Sequence, residues 1–425
     1  MDTYYRLGID AGGTFTDFVL ADKSGNIKIY KTLSTPNDPT KAIENGLNLI
    51  SEDLEMNPTK IISQSDLCIN GTTVGLNALI QHKGSAVGLI CTEGHEDSIE
   101  IRLGHKEDGY RYDPDYPPAK MLSPRYLRKG IRERILSNGQ IKTPISEKDV
   151  KEACKIFIDE GINTVAISFI WSVLNSSHEN IAAIIVEEMM PDAFITIGSK
   201  LYPQIREYTR TSTAVTNAYL APTLKSYVSA INDFFINLGG ANNVRYFQSN
   251  GGLATGKAMT DRPVYAINSG PASAPKAGLS VADPFNYNNV ITVDMGGTSF
   301  DITLTKEGNT NLNKNIDFLR YRIGVPMIQV ETLGAGGGSI GRIDDIGLLQ
   351  VGPQSAGADP GPACYDKGGK KPTVSDANLI LGYLNPDGLV GGKLPLNFNN
   401  AYEAIEKYIA KPLNLNVETA AYGMF

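Results

Sequence analysis

Leu7-Gly8-Ile9-Asp10-Ala11-Gly12-Gly13-Thr14-Phe15-Thr16-Asp17-Phe18-Val19-Leu20 lies near the start of the chain. Ile291-Thr292-Val293-Asp294-Met295-Gly296-Gly297-Thr298-Ser299-Phe300-Asp301-Ile302-Thr303-Leu304 repeats its pattern without a gap. Asp10 matches Asp294, Gly12-Gly13-Thr14 matches Gly296-Gly297-Thr298, and Asp17 matches Asp301. Each copy reads as an apolar strand, a glycine turn and a second strand. A repeat at this separation implies two domains of similar topology, not a short-period solenoid.

The repeated residues have a chemical reading. Two adjacent glycines let backbone N–H groups converge with no Cβ in the way, which makes an anion-binding concavity. The threonines Thr14 and Thr298 add hydroxyl donors. Asp10 and Asp294, at strand ends, suit the waters of a bound Mg²⁺, a hard cation that takes few carboxylates and prefers phosphate oxygens. Two such hairpins facing one another would clamp a nucleotide's phosphates, with Thr16, Asp17, Ser299 and Asp301 in support. One Asp-x-Gly-Gly-Thr alone is as readily an ordinary turn; two gap-free copies are not.

Outward from the first copy, the turn Lys23-Ser24-Gly25-Asn26 leads to a third strand near 27–33. Asn37-Asp38-Pro39 starts a helix whose inner face carries Ile43, Leu47, Ile50 and Leu54. Three hairpin-linked strands followed by a helix point to a mixed sheet. Ser146 with Asp149 caps a further helix, with Val150, Ile156 and Phe157 inward and Gly161 closing it. A buried strand follows at 164–170, then a helix from Ser176-Ser177, and strands near 244–248 and 290–293. The fold class is therefore α/β with three layers. A boundary is expected around Gly198 to Glu207, giving domains 1–200 and 201–425. The Gly-, Pro- and Asp-rich stretch from Gly334 to Lys371 reads as a long functional loop or a surface connector.

Composition narrows the function classes. With 425 residues, 41% hydrophobic and 20% charged, the chain suits a globular protein of two or three domains. A formal charge of −7 argues against nonspecific nucleic-acid binding. The N-terminus has no secretory pattern, and no stretch is apolar for long enough to span a membrane. Four cysteines give no disulfide framework. His82, His95, His105 and His178 form no dense metal box. A cytoplasmic, reduced protein is expected.

With these residues in view, the chain resembles the actin, sugar-kinase and heat-shock-chaperone superfamily of ATPases, whose two lobes each carry a phosphate hairpin. The small-residue segment Asn268-Ser269-Gly270-Pro271-Ala272-Ser273-Ala274-Pro275-Lys276-Ala277-Gly278 stands where that superfamily has a helix before its second hairpin. Within it, the chain is similar to the hydantoinase A / 5-oxoprolinase family. The motifs that carry this are Asn70-Gly71-Thr72-Thr73-Val74 with Asn77-Ala78-Leu79, Ile205 to Ser212, and Gln248-Ser249-Asn250-Gly251-Gly252. More specific still are Gly334-Ala335-Gly336-Gly337-Gly338-Ser339, Ser355 to Tyr365 and Pro372 to Ala377.

The resemblance implies two actin-like (ribonuclease H-like) lobes of mixed sheets flanked by helices, with a nucleotide cleft between them. It implies ATP and Mg²⁺ as cofactors and hydrolysis of a cyclic amide of the hydantoin, oxoproline or lactam type. This chain would phosphorylate the substrate carbonyl oxygen for a B-type partner subunit in a hetero-oligomer. The rivals are a carboxylase subunit that activates a ketone or bicarbonate, and a regulatory or chaperone-like ATPase. Asn70 stands where the family usually has His, so an acid–base role there is not expected. Family members also continue past Phe425 into a segment that holds their adenosine-binding glycines, so a fragment, a shortened form or half of a split gene is expected.

Other candidates have plainer readings beside the functional ones. Arg206, Glu207 and Arg210 share a helix face, as an ion pair or a phosphate contact. His95-Glu96-Asp97, Glu100 and His105 read as solvated loop charges. Cys364 reads as a packed small residue, not a nucleophile, because nothing nearby in sequence activates it. Asp376 has a claim to a site role by resemblance alone.

Overall fold

The computed structural model describes residues 4–13, 15–35, 38–104, 106, 111–116, 119–240, 244–297, 299–357, 359–389 and 394–425. Thr14, Asn37, His105 and Thr298 lie outside them. The chain divides into two compact units. Met1–Asp66, Gly270–Asn311 and Gln329–Phe425 form the first; Leu67–Ser269 and Leu312–Ile328 form the second. Both hairpins fall in the first unit. The chain leaves the first unit after its N-terminal hairpin and returns to it before the second.

The first unit begins with the antiparallel strands β1 (Tyr5–Ala11), β2 (Phe15–Asp22) and β3 (Ile27–Leu33). Helix α1 (Pro39–Leu54) follows. Asp38 caps it by accepting from Thr40 N, and Pro39 fits its first turn because no N–H is needed there. Its inward face, Ala42, Ile43, Gly46, Leu47 and Ile50, is buried. Gly46 is required, since a Cβ there would fall on the Phe18 ring. Under α1 lie Leu7 and Ile9 of β1 and Phe18 and Leu20 of β2, all buried. Their alternation is what period-2 strands dictate when one face is covered.

The chain passes into the second unit within strand β4 (Ser65–Thr72). There β5 (Gly88–Thr92), β6 (Arg128–Ile131), β7 (Thr164–Ser168) and β8 (Phe194–Ile197) form a parallel sheet in the order β8-β7-β5-β6. Helices α2 (Glu147–Asp159), capped by Ser146, and α3 (Ser177–Met189) belong to the same core, through Val150, Phe157, Ala182 and Val186. Ile156, expected inward, is exposed at 37% because the helical period carries it off the buried stripe of Val150, Ala153, Cys154 and Phe157. Helix α4 (Glu207–Asn237) is buried on every side from Tyr208 to Ala221, as a helix through the middle of a unit must be. Strand β9 (Val244–Phe247) pairs in parallel with β4 and antiparallel with β10 (Leu253–Thr255).

Back in the first unit, helix α5 (Ala274–Ala282) packs on the second hairpin, β11 (Val290–Met295) and β12 (Phe300–Lys306). Gly278 allows the close approach, since a Cβ there would press on Thr292. On its far side β12 pairs with β13 (Asn309–Thr310) and β14 (Glu331–Leu333). The stretch from Gly334 to Lys371, read as a loop, contains a second antiparallel pair, β15 (Ser339–Ile343) and β16 (Leu349–Ser355). These strands are short and interrupted by glycine, so they carry little periodic signal. Helices α6 (Val374–Ile380), α7 (Phe398–Ile405) and α8 (Val417–Met424) form a small core with Ile409. The architecture is a mixed α/β fold of several sheets flanked by helices. Among the described residues no helix is long and apolar enough to cross a membrane.

Candidate active site

The two hairpins match residue for residue. In the first, Asp10 sits opposite Asp17 and Gly12 N donates to Phe15 O at 3.1 Å. In the second, Asp294 sits opposite Asp301 and Gly296 N donates to Ser299 O at 2.9 Å. The repeat is therefore one register and one turn built twice.

Each turn is held from behind. Ser34 Oγ donates to Gly12 O at 2.7 Å and shares a 2.9 Å hydrogen bond with Oγ1 of the buried Thr16. In the second hairpin, Gly337 N and Gly338 N donate to the carbonyls of Gly296 and Gly297 at 2.9 and 2.6 Å. A trans peptide is planar, with its C=O and N–H on opposite sides. Pinning the carbonyls of Gly12 and Gly296 therefore turns the N–H groups of Gly13 and Gly297 the other way. A Cβ on Gly13 would meet nothing within 4 Å, so the first turn is open in front.

The glycine loop that braces the second turn is itself anchored. Ser375 N donates to Gly337 O at 2.7 Å at the start of α6. Asp376, fully buried, accepts from Cys364 N at 2.7 Å, Thr373 N at 2.8 Å, Thr373 Oγ1 at 2.8 Å and Ala363 N at 3.4 Å. Its role in this structure is to tie the segment around Cys364 to the capping box of α6. Cys364 is buried, and burial together with the Asp376 carboxylate pushes its thiol well up, which leaves it unsuited to nucleophilic work.

The acidic residues of the two hairpins share one field. Loss of hydration to the surrounding protein raises the Asp10 carboxyl above its ordinary range; Asp17 and Asp294 add to this, and Lys31 opposes it. Asp294 is raised in the same way, first by lost hydration, then by Asp301 and Asp17, again against Lys31. Repulsion among carboxylates raises a pKa when too little positive charge is present. Lys31 is the cation at hand, 2.8 Å from Asp17 Oδ1. Asp301 is occupied by Thr332 Oγ1 at 2.6 Å and Ser299 Oγ at 3.3 Å. Among the described residues no three Asp, Glu, His or Cys side chains stand close enough to cage an ion. That donor set fits Mg²⁺, which keeps most of its waters and takes phosphate oxygens, and does not fit an all-protein cage.

The structure thus brings Asp10, Asp17 and Asp294 into one electrostatic neighbourhood and backs each glycine turn. Lys31, Ser34 and Thr332 went unassigned in the sequence reading, and Gly337 and Gly338 entered it only within a family motif. Lys31 was within reach of it, because the hairpin register sets Lys31 opposite Asp17.

Other candidates fall elsewhere, in the second unit. Arg210 is buried and donates to Gln204 O and Phe169 O at 2.8 Å each, so it braces the fold. Asp97 and Glu100 pair with Arg128, and Asp97 also with Arg125. Asn70 is buried and accepts from Tyr227 Oη at 2.8 Å.

A glycine-turn hairpin built twice in one register, with its aspartates in one neighbourhood, sets the chain among α/β proteins with a repeated strand-turn-strand motif. Comparison with known proteins places it further. The profile of the hydantoinase/oxoprolinase family matches residues 210–425, and that of the hydantoinase/oxoprolinase N-terminal region matches residues 6–190. The chain belongs to this family. It is 61% identical to the caprolactamase alpha subunit of Pseudomonas jessenii over 99% of its own length and 60% of the relative's. It is 36% identical to the acetophenone carboxylase gamma subunit of Aromatoleum aromaticum, over 99% of its length and 59% of the relative's. The crystal structure of the ATP-dependent caprolactamase from Pseudomonas jessenii superposes with a TM-score of 0.86 at 61% identity, covering 99% of this chain and 61% of that one. The chain spans about three fifths of the length of these relatives.

Proposed function

We propose that this chain supplies the ATP-binding and phosphoryl-transfer part of an enzyme that hydrolyses a cyclic amide, a lactam before a hydantoin or oxoproline. The observation that carries this is the pair of hairpins in matched register, with the carboxyls of Asp10 and Asp294 both raised, first by lost hydration and then by neighbouring aspartates. The similarity to a caprolactamase subunit supports the lactam. Asp10 and Asp294 would hold the waters of Mg²⁺, with Gly12, Gly13, Gly296 and Gly297 presenting N–H groups to phosphate. Thr14 and Thr298 would add their hydroxyls, with Thr16, Asp17, Ser299 and Asp301 in support. Bound Mg²⁺ supplies charge neutralisation for the phosphates.

The chemistry follows from the weakness of an amide as an electrophile. The amide oxygen attacks the γ-phosphorus of ATP, an O–P bond forms, and the bond from that phosphorus to the bridging oxygen breaks to release ADP. The O-phosphorylated amide then has a good leaving group. Water adds to its carbon, the C–N bond breaks as the ring nitrogen takes up a proton, and the ring opens to an acyl phosphate; a second water then displaces inorganic phosphate to leave the amino acid, steps we assign to a B-type partner subunit. Hairpin N–H groups contribute by binding charge where it develops on the transferring phosphoryl group.

A second reading rests on the similarity to an acetophenone carboxylase subunit. There the phosphorylated group would be a ketone enol or bicarbonate. Measuring ADP release by the assembly with its partner, across lactams, hydantoins and oxoproline on one side and ketones with bicarbonate on the other, separates the two. Turnover indifferent to every member of the panel defeats both.

A further inference from the structure

A groove of about 530 Å³ opens beside β3, within the first unit. That is the size of a small-molecule site. Its walls come from three separate pieces of the chain: Lys31 and Leu33 of β3, Asn45, Asn48 and Leu49 of α1, and Leu394. A helix of period 3.6 that buries Ala42, Ile43, Gly46, Leu47 and Ile50 must turn Asn45, Asn48 and Leu49 aside from the core. Strand β3 ends its sheet, so among the described residues no further strand fills that side.

The lining has a mixed chemistry. Leu33, Leu49 and Leu394 give apolar surface. Asn45 and Asn48 give carboxamides, each both donor and acceptor, and among the described residues neither is taken by another group. Lys31 is the only cation among the described residues that line the groove, and its charge is already met by Asp17 Oδ1 at 2.8 Å. Such a groove suits a ligand with methylene surface, one C=O, one N–H and no net charge. A small ring holds its amide cis, so C=O and N–H lie side by side, where one carboxamide can meet both. A carboxylate entering the groove would lose hydration with no free cation to compensate.

We propose that this groove binds the substrate ring and selects an uncharged lactam over oxoproline, whose ring carries a carboxylate. The three leucines pack against the methylenes, and the carboxamides of Asn45 and Asn48 meet the ring amide. Lys31, shared by the groove and Asp17, joins the ring's site to the first hairpin. This rests on the reading of ATP-dependent amide hydrolysis and adds to it the place of the ring and the charge it tolerates.

The test is ligand-observed NMR on this chain, with and without MgATP. Its probes are caprolactam, 2-pyrrolidinone and 5-oxoproline, the last two differing by a carboxylate. Caprolactam and 2-pyrrolidinone are expected to bind, and 5-oxoproline to bind roughly tenfold more weakly than 2-pyrrolidinone. Asn48→Leu, at an exposed helix position where leucine does not endanger the fold, weakens caprolactam roughly tenfold, as one lost hydrogen bond does. Asn45→Arg adds a free cation, since its helix neighbours Lys41, Ala42, Asn48 and Leu49 carry no acid. It strengthens 5-oxoproline roughly tenfold. Glu44→Gln, exposed on the same helix, changes neither. In the assembly with its partner, Asn48→Leu raises the KM for caprolactam by the same factor and leaves MgATP affinity, read by calorimetry, unchanged. The proposal is overturned by no binding of caprolactam, by equal binding of 2-pyrrolidinone and 5-oxoproline, by caprolactam binding or KM indifferent to Asn48→Leu, or by 5-oxoproline indifferent to Asn45→Arg. MgATP that fails to bind, with the probes behaving as expected, sinks the ATP reading while supporting the groove.

Discussion

Replacing Gly338 with alanine asks whether the glycine loop sets the second hairpin. A Cβ on Gly338 would stand 2.8 Å from Gly297 O and 2.8 Å from Ser355 Oγ. The serine can rotate away, but the carbonyl is backbone of the turn and yields only if the turn moves or the 2.6 Å bond from Gly338 N is lost. Overpacking of this kind costs about 1–3 kcal/mol, and the lost hydrogen bond about 1 more. A displacement of roughly 1 Å at a phosphate-holding turn costs about 100-fold in turnover. Affinity for MgATP falls less, about tenfold, because the first turn still holds the nucleotide. Calorimetric titration with MgATP, ADP release by the assembly with its partner, and thermal unfolding read these separately. Gly8→Ala is the control, since its Cβ meets nothing nearer than 3.8 Å. Normal turnover and stability in Gly338→Ala would refute the brace.

Three further outcomes are expected. The raised carboxyls of Asp10 and Asp294 take up protons at a higher pH than ordinary aspartates, and the protonated form holds Mg²⁺ waters poorly. MgATP affinity should therefore decline early on acidification, and Asp294→Asn should move the Asp10 share of that decline to lower pH in titrations against pH. Asp376→Asn leaves at least one of four buried backbone or hydroxyl donors badly met, so denaturant unfolding should show a loss of about 2–4 kcal/mol, with Asp366→Asn nearly neutral. Arg132 holds Asp149 well below the usual carboxylate range. A depressed carboxylate stabilises above its unfolded pKa, and that stability is lost as pH falls through the folded value. Arg132→Gln should then lower stability only slightly at neutral pH, since the arginine is largely exposed and solvent screens the pair, with the difference from wild type shrinking in strong acid.

Local patterns were legible because they are local. Asp10, Gly12 and Asp17 lie within one hairpin, so spacing alone set the two strands and the turn between them, while the register that puts Asp10 opposite Asp17 came from the structure. The helix starts at Asp38 and Ser146 were legible for the same reason, as capping involves neighbours three residues apart or fewer. Ile156 was misplaced because it is apolar and sits beside the buried stripe of Val150, Ala153, Cys154 and Phe157, and only packing shows where that stripe ends.

Sequence by itself determined that one glycine-turn hairpin is written twice on an α/β chain, because a turn's conformation is fixed by the few residues inside it. Tertiary structure decided the rest. It gathered both hairpins into one unit, set Asp294 within the field of Asp10, and made Gly337 and Gly338 the backing of Gly296 and Gly297. Those relations join residues from about forty to nearly three hundred positions apart, where no periodicity or spacing rule reaches and only burial and hydrogen-bond completion select the partner.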